Sequence, residues 1–448
     1  MGTEYTWAFD GSFLVFLLIA FVSMAIAEKL KSMIPMPLIY GVVFAVGFGT
    51  GILPKDMLLS ANMIAVGTIA FNVLVIHSGT MINFKMLKAK KKEALICIAA
   101  SLALIVIVGF GLTPILGKGL AFLSPGSVIG GGASCAIASR WVLDKNPAIS
   151  VFPWLIFMFQ GLFSVPVVTW ALKREGKALS AEFRARMSQG AGQENAAGNI
   201  PGGPGNVAGN IPGGPGNAAG NHPGGSPVNV AAGTAKPGVP GNGQNPAASQ
   251  GGKVPLCERI PAKYKSTAYY LGIIMIVTVI NNLLHGTVLA GMNINPNITA
   301  LLFGCILGSL GFMDKAPLFK ADSFGLLLLG LMGLMANTIA NCPWQGLVSF
   351  IPPLILVFVV STIVLVVCGI VGAKICGFRA ERGIALTMNC MMGFPVNDML
   401  VNNAAAVGES DAEKGYIKSQ IGPVLGIGTM LISNAVSVLI VSLMVIFV

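Results

Sequence analysis

The chain has 448 residues, of which 54% are hydrophobic and only 10% are charged, and its formal net charge is +11. Ordinary soluble domains have about 25% charged residues, so this composition excludes a soluble globular protein and indicates an all-α polytopic membrane protein. The basic residues lie between apolar runs, where orientation in a membrane explains them, and we expect no nucleic-acid partner. The eight cysteines have no paired spacing, which argues against a disulfide framework or a zinc site.

Ten apolar runs have about the length that a bilayer requires, 17 to 25 residues, although the first and seventh are short. Five runs precede a long polar interruption and five follow it. The first run is preceded by Glu4 and Asp10 and by no basic residue, so we expect an uncleaved span there and not a signal peptide. The predicted spans are 13–27, 34–53, 58–83, 94–117, 148–172, 268–289, 298–313, 323–340, 347–373 and 421–448.

The central segment, 173–266, differs in composition from both flanks. GNIPGGPGNVA at 198–208 repeats as GNIPGGPGNAA at 209–219. Glycine does not occupy every third position, which excludes a collagen helix. With so few apolar residues, the segment is predicted to be a disordered, flexible linker. It separates an N-terminal membrane repeat, 1–172, from a C-terminal membrane repeat, 267–448.

The distribution of lysine and arginine predicts the orientation of the chain in the membrane. With the N-terminus outside and the long linker left out of the count, 14 basic residues lie on the inner side and 4 on the outer side. The positive-inside rule then makes the linker cytoplasmic and places both termini outside, across a plasma (inner) membrane. Because five spans precede the linker, the second half enters from the opposite side, and we predict two inverted five-helix repeats.

Two polar, glycine-rich segments interrupt the apolar pattern: GSVIGGGASCAIAS at 126–139 and TMNCMMGFPVNDMLVNNAAA at 387–406. Irregular backbone of this kind cannot face lipid. We therefore predict two re-entrant hairpins, 119–139 from outside and 383–408 from the cytoplasm, with tips that meet near the midplane. Broken helices present N–H groups to anions and carbonyl groups to cations. Gly130, Gly131 and Gly132 would let a substrate contact backbone.

Asp398 is the only one of the 45 charged residues that falls inside a predicted span or hairpin core. A carboxylate at that depth costs about 2.5–3.5 kcal/mol, which a bound Na⁺ or proton would offset. The surrounding Asn389, Asn397, Asn402 and Asn403 offer uncharged oxygen ligands. The alternative is that Asp398 only caps the N-terminus of a helix.

The sequence gives no support for catalysis. An intramembrane aspartyl protease needs a second carboxylate to share a proton with Asp398, and the predicted spans contain none. HExxH, a phosphate loop with lysine, and a Ser/His/Asp motif are also missing. We expect the protein not to be an enzyme.

The order of these motifs resembles the sodium:glutamate symporter family. IPMPLIYG at 34–41 and HSGTMINFKML at 77–87 are similar to segments of its first half, and GGGASCAIASR at 130–140 is similar to its first hairpin, with Gly132 in place of a histidine. GFPVNDMLVNNAAA at 393–406, followed by IGPVLGIGTMLISNAVSVLI, resembles its second hairpin and last span. The likeness covers most of both halves and excludes the linker.

The resemblance implies a homodimeric Na⁺-coupled symporter of glutamate or a related small carboxylate that works by alternating access. Two alternatives remain open: an H⁺- or Na⁺-coupled carrier of another organic anion, and a channel-like or structural membrane protein. Through the resemblance, Gly131, Ser134, Ser139, Gly393, Asn402 and Asn434 become site candidates. The full candidate set for the substrate is Gly130, Gly131, Gly132, Ser134, Cys135, Ser139, Asn389, Gly393, Asn402 and Asn403, and for the ion it is Asn397, Asp398 and Asn434.

Overall fold

A computed structural model describes residues 7–30, 33–82, 84–143, 145–197, 255–290, 294–392 and 396–448, without the side chains of 85, 86, 189–197, 398 and 430. Helices account for 83% of these residues, and none of them lies in a β-strand. Of these residues, 7–183 and 255–448 belong to one compact unit, and 184–197 fall outside it. The prediction of an all-α chain is confirmed for the described part.

The first half contains nine α-helices within its described residues. A π-helical turn, Ile105–Phe110, continues α6, and a glycine with positive φ, Gly117 at +74°, kinks α7. The helices are α1 (Phe9–Lys29), α2 (Met36–Gly49), α3 (Met57–Ser60), α4 (Met63–Thr80), α5 (Phe84–Ala89), α6 (Lys91–Leu104), α7 (Thr113–Val128), α8 (Gly132–Leu143) and α9 (Phe152–Ala197).

The second half repeats this order of long and short helices. Its last span is one continuous helical segment in which a π-helix, Gly428–Val436, separates two α-helices. The helices are α10 (Thr267–Gly286), α11 (Pro296–Leu310), α12 (Pro317–Lys320), α13 (Phe324–Ala340), α14 (Trp344–Ser349), α15 (Ile351–Cys376), α16 (Ala380–Met388), α17 (Val396–Ala405), α18 (Asp411–Ile427) and α19 (Ser437–Met444).

Seven helical segments of the described part are long and apolar enough to cross a membrane, as expected of a multi-pass membrane protein. Three shorter apolar helices, α2, α11 and α13, have 14, 15 and 17 residues. At 1.5 Å per residue they measure about 21–26 Å, less than the roughly 30 Å hydrocarbon layer. Each of the ten predicted runs overlaps one of these ten segments.

Several boundaries differ from the predicted ones. The run 58–83 is divided into α3 and α4 at Asn62, which has a φ of +56°. The run 94–117 ends its helix at Phe110. Helix α9 continues to Ala197, so residues 173–197 of the predicted linker are helical, in keeping with their many Ala, Glu, Lys and Arg residues. The Gly/Pro repeat lies outside the described residues.

The connections between the second and third long helices of each half share one backbone conformation. Gly51 and Gly311 both have a φ of +75°, and Asn62 and Asp322 have φ values of +56° and +50°. Leu53 N donates to Gly47 O at 2.9 Å, and Met313 N donates to Leu307 O at 3.2 Å. In each of these pairs, the residue in the second half and its counterpart in the first half are separated by the same number of positions in the chain. The similarity of the two halves therefore extends to individual hydrogen bonds.

Glycines bring helices of the two halves into close contact along α4. A Cβ on Gly304 of α11 would collide with the carbonyl of Ile76, and one on Gly79 would collide with the carbonyl of Leu301. Gly67 of α4 and Gly330 of α13 meet in the same way. Small residues at such crossings let membrane helices pack backbone to backbone. The early helices of both halves thus form one tightly packed bundle.

The later helices of both halves also pack together, and they carry the polar segments. Helix α6 packs against α15, and α7 packs against α19. A Cβ on Gly126 of α7 would strike Val441 of α19. Each polar segment therefore lies against helices from the other half of the chain.

Candidate functional site

Each polar segment is a pair of helices joined by a break. In the first, α7 and α8 are separated by residues 129–131, where Gly130 is needed because a Cβ would clash with the carbonyl of Gly126 and with Ser134. In the second, α16 ends in a 3₁₀ turn at Asn389–Met391, and α17 begins at Val396. These breaks supply the irregular backbone that a broken-helix site requires.

The last span presents a row of hydroxyl groups to both breaks. Thr429, Ser433 and Ser437 occupy every fourth position along the π-helix and the start of α19, and their exposed fractions are 3%, 1% and 0%. A π-helix has a wider turn than an α-helix and is frequent at functional sites. Ser437 Oγ donates to Ser433 O at 2.5 Å, which ties two of the three together.

The first polar segment contacts the C-terminal part of this row, at Ser433 and Ser437. Gly131 N donates to Ser433 O at 3.4 Å. Ser134 Oγ and Ser437 Oγ lie 2.6 Å apart in a buried hydrogen bond. Two of the predicted substrate residues, Gly131 and Ser134, are therefore held against the last span of the opposite half.

The second polar segment contacts the N-terminal end of the row, at Thr429. Asn389 Nδ2 donates to Leu425 O at 2.9 Å and to Thr429 Oγ1 at 3.2 Å. Asn397 Nδ2 donates to the same Thr429 hydroxyl. That oxygen has two lone pairs, so it can accept from both amides at once. The side chains of Asn389 and Asn397 thus meet at one atom, one turn of the π-helix from Ser433.

Three buried polar atoms in this region have no hydrogen-bond partner within the described part: Asn389 Oδ1, Asn397 Oδ1 and Ser433 Oγ. A carbonyl oxygen can only accept, so the amide nitrogen of Asn389, and not its oxygen, must face Leu425 O. Leaving a buried acceptor unpaired costs about 1–3 kcal/mol each. Two uncharged amide oxygens beside hydroxyl groups are hard ligands of the kind that suit Na⁺ better than a soft transition metal.

Other predicted residues form no hydrogen bond to this cluster within the described part. A Cβ on Gly132 would meet Phe157 at 3.4 Å, and Cys135 Sγ donates to Ser127 O at 3.7 Å within its own segment. Ser139 is buried and Asn402 is exposed, whereas Asn403 and Asn434 are half-buried. None of these last four forms a side-chain hydrogen bond within the described part.

One prediction about Asp398 is contradicted by the structure. Its backbone is the third residue of α17, so the alternative of an N-cap position is wrong, although it still lies in the first turn. Its side chain, like Gly393, lies outside the described residues. The count that singled out Asp398 refers to the predicted spans and hairpin cores and stays a prediction. Glu93 and Glu175, each 4% exposed, lie just outside the predicted spans 94–117 and 148–172 and are further buried carboxylates of the helical segments.

Thr429, Ser433 and Ser437 are the functional candidates that the sequence reasoning missed. Their spacing of four residues within an apolar span is visible in the sequence, and it places hydroxyl groups on one face of a helix. The resemblance drew attention to Asn434 instead, whereas its neighbour Ser433 makes the contact with Gly131.

Comparison with known proteins does not assign this chain to a family, because neither a protein-family model nor a curated protein sequence matches it.

Proposed function

We propose that this protein is a secondary active transporter that couples the inward movement of Na⁺ to symport of glutamate or a related small carboxylate. The observation that carries the proposal concerns Asn389 and Asn397, whose side-chain nitrogens share the Thr429 hydroxyl: their amide oxygens are buried without a hydrogen-bond partner among the described residues. A bound cation would satisfy both oxygens. Asp398, in the first turn of α17, would add the negative charge that such an ion requires.

The first polar segment supplies the complementary half of the site. Gly132 begins α8, and N–H groups at a helix start attract anions. Ser433 Oγ is a further hydroxyl group available beside Gly131. A carboxylate held there would lie one turn of the last span from the cation, so each would stabilise the other.

The proposed topology has ten spans in two inverted repeats, with the polar segments as re-entrant hairpins. The matched connections at 51–62 and 311–322 support two repeats, and an odd number of spans before a cytoplasmic linker requires their inversion. Both termini would then lie outside the plasma membrane. The early-helix bundle, closed by glycine contacts, is the natural scaffold for a homodimer, against which the hairpin-bearing helices move.

Coupling to a cation gives the carrier its driving force. Each extra positive charge that moves inward gains about 2.3 kcal/mol for every 100 mV of membrane potential. This is sufficient to concentrate an organic anion more than tenfold, because 1.4 kcal/mol corresponds to a factor of ten. No catalytic step is required.

Two other functions remain as alternatives. A carrier coupled to protons, or one for another organic anion, would use the same site with a different ion or substrate. A channel-like or structural protein would use the hairpins only for packing, and the unpartnered oxygens of Asn389 and Asn397 weigh against this.

The test is uptake of labelled L-glutamate into liposomes that contain the purified full-length protein. One set receives an inward Na⁺ gradient, a second an equal choline gradient, and a third a proton gradient alone. Uptake only with Na⁺ supports the proposal. If glutamate fails, other small carboxylates are tested in the same three sets. Uptake driven only by protons supports the first alternative, and no gradient-dependent uptake of any carboxylate would contradict a carrier.

A further inference from the structure

A crevice between α9, α16 and α18 lies on the cytoplasmic side of the proposed topology. It encloses about 280 Å³, a volume that includes open solvent. Its polar lining consists of Glu175, Arg382 and Gln420, and the remaining lining is apolar.

Glu175 is a buried carboxylate with an incomplete set of partners. Its side chain is 5% exposed, and its Oε1 lies 3.6 Å from Arg379 Nη1. Its Oε2 is buried without a hydrogen-bond partner in the described part, and so is Nε of Arg382, on the same crevice. A buried, ionised carboxylate with one unsatisfied oxygen is costly, so the group gains from binding a proton.

Glu93, a second buried carboxylate in this region, differs from Glu175 in how closely it is paired with a cation. It is equally buried, with a side chain 5% exposed, but its Oε1 accepts from Arg382 Nη2 at 2.8 Å. Glu93 is therefore neutralised by a close ion pair, whereas the nearest cation of Glu175 is 0.8 Å farther away. The two carboxylates form a natural pair of test and control.

The charge environment of Glu175 depends on the position of α16. Arg379 immediately precedes this helix, and Arg382 and Glu381 lie within its first turn. Nearby arginines favour the ionised carboxylate, while burial and neighbouring carboxylates favour the neutral acid. Arg174 and Glu182 lie on the same helix as Glu175, and α18 contributes the uncharged Gln420. Arg379, the closest of these cations, therefore has the largest influence on how readily Glu175 binds a proton.

The crevice also leads toward the candidate site. Along α18 its lining runs from Gln420 to Leu425, about 7.5 Å at 1.5 Å per residue. The carbonyl of Leu425 accepts from the amide of Asn389. A change at Glu175 is therefore close enough to be linked to the second polar segment through α16 and α18.

We propose that Glu175 is an exchangeable proton-binding site, which takes up a proton through the crevice on the cytoplasmic side and whose affinity for the proton is set by Arg379. The inference rests on the proposed function in one respect: proton binding at Glu175 would contribute to transport only if the hairpin-bearing helices form a carrier. The protonation itself is a property of the folded protein and can be measured without transport.

The experiment is infrared spectroscopy of the full-length protein in lipid nanodiscs, following the carbonyl band of protonated carboxyl groups as the pH is lowered. We expect wild type to gain about one protonated carboxyl per chain while solvent-exposed carboxyls, which titrate near pH 4, are still ionised. Glu175→Gln should lose this band, and Glu93→Gln should keep it. Arg379→Gln should move its appearance to higher pH, because a positive neighbour is removed.

Equal bands in wild type and Glu175→Gln, or an unchanged midpoint in Arg379→Gln, would overturn the inference. Arg379 Nη2 also lies 3.5 Å from Glu182 Oε2, so if Glu175→Gln does not fold, the Arg379→Gln shift measured in a Glu182→Gln background decides the question. A band that depends on Glu175 in a protein that transports nothing would contradict the proposed function alone. Na⁺-driven uptake with no such band would contradict only the proton site.

Discussion

Asn389 donates its side-chain amide to the hydroxyl of Thr429 across 3.2 Å, and this bond joins the second polar segment to the π-helix of the last span. Asn397 reaches the same hydroxyl. Because one oxygen orients two carboxamides, a change at Thr429 should disturb both of the unpartnered oxygens that we assign to the cation.

Replacing the hydroxyl with a methyl group tests this arrangement. Thr429→Val should lower the free energy of unfolding by about 1–3 kcal/mol, because two buried amide donors lose an acceptor. It should also weaken the Na⁺ dependence of uptake. Thr338→Val is the control, since the hydroxyl of Thr338 bonds only to Leu334 of its own helix. Equal effects of the two substitutions on Na⁺ dependence would refute the shared role of Thr429.

Na⁺ should stabilise the folded protein specifically. A ligand that binds only the folded state adds about 2.7 kcal/mol at a concentration 100 times its Kd. We expect the thermal midpoint of wild type to rise with NaCl but not with choline chloride at equal ionic strength. Asn389→Leu and Asn397→Leu, which remove the unpartnered oxygens, should lose this difference. A Na⁺-specific shift that persists in both variants would place the ion elsewhere.

Glycine contacts between α4 and α11 should be essential to the scaffold. Gly304→Ala introduces a methyl group against the carbonyl of Ile76, and overpacking of this kind costs about 1–3 kcal/mol. Gly272→Ala is the matched control, because a Cβ there meets nothing within 4 Å. Thermal unfolding in one detergent measures both. A Gly304→Ala protein as stable as the Gly272→Ala protein would show that the two helices can separate without penalty.

Lys265 and Asp314 should give the protein a pH-dependent stability at alkaline pH. Lys265 Nζ lies 3.0 Å from Asp314 Oδ2, and Lys320 contacts the other oxygen. Burial lowers the pKa of Lys265, but the hydrogen bonds and charge of Asp314 outweigh it, and the pKa is raised. The stabilisation is therefore complete below the unfolded-state pKa, about 10.4, and is lost as the pH rises through the folded-state pKa.

Lys265→Met should therefore lower the thermal midpoint at neutral pH, and its difference from wild type should shrink above about pH 10.4. Lys315→Met, at the exposed position next to Asp314 in the connection between α11 and α12, should have little effect at any pH. A constant difference between Lys265→Met and wild type across this range would show that the ion pair contributes no titrating stability.

The all-helical fold could be predicted because an apolar run of sufficient length has few other structures open to it in a membrane. The break at Asn62 and the kink at Gly117 could not, since each depends on a positive φ that Asn and Gly allow without requiring. The helical part of the linker was missed because the Gly/Pro repeat that follows Ala197 dominated the composition of the whole segment.

The candidate site was predictable in part for a similar reason. Gly131, Ser134, Asn389 and Asn397 stand out because they are small or polar residues in an apolar chain. The residues of the last span that they contact, Thr429 and Ser433, are determined by how that span packs against both segments. Packing of that kind depends on three-dimensional contacts between residues that are far apart in sequence.

The measurement that tests the account most directly is the time course of labelled substrate inside liposomes under an imposed Na⁺ gradient. A coupled carrier should accumulate the carboxylate transiently above its outside concentration and then lose it as the gradient decays. A Na⁺ ionophore should abolish this accumulation. Simple equilibration that is unaffected by the gradient or the ionophore would contradict coupled transport and favour a channel-like protein.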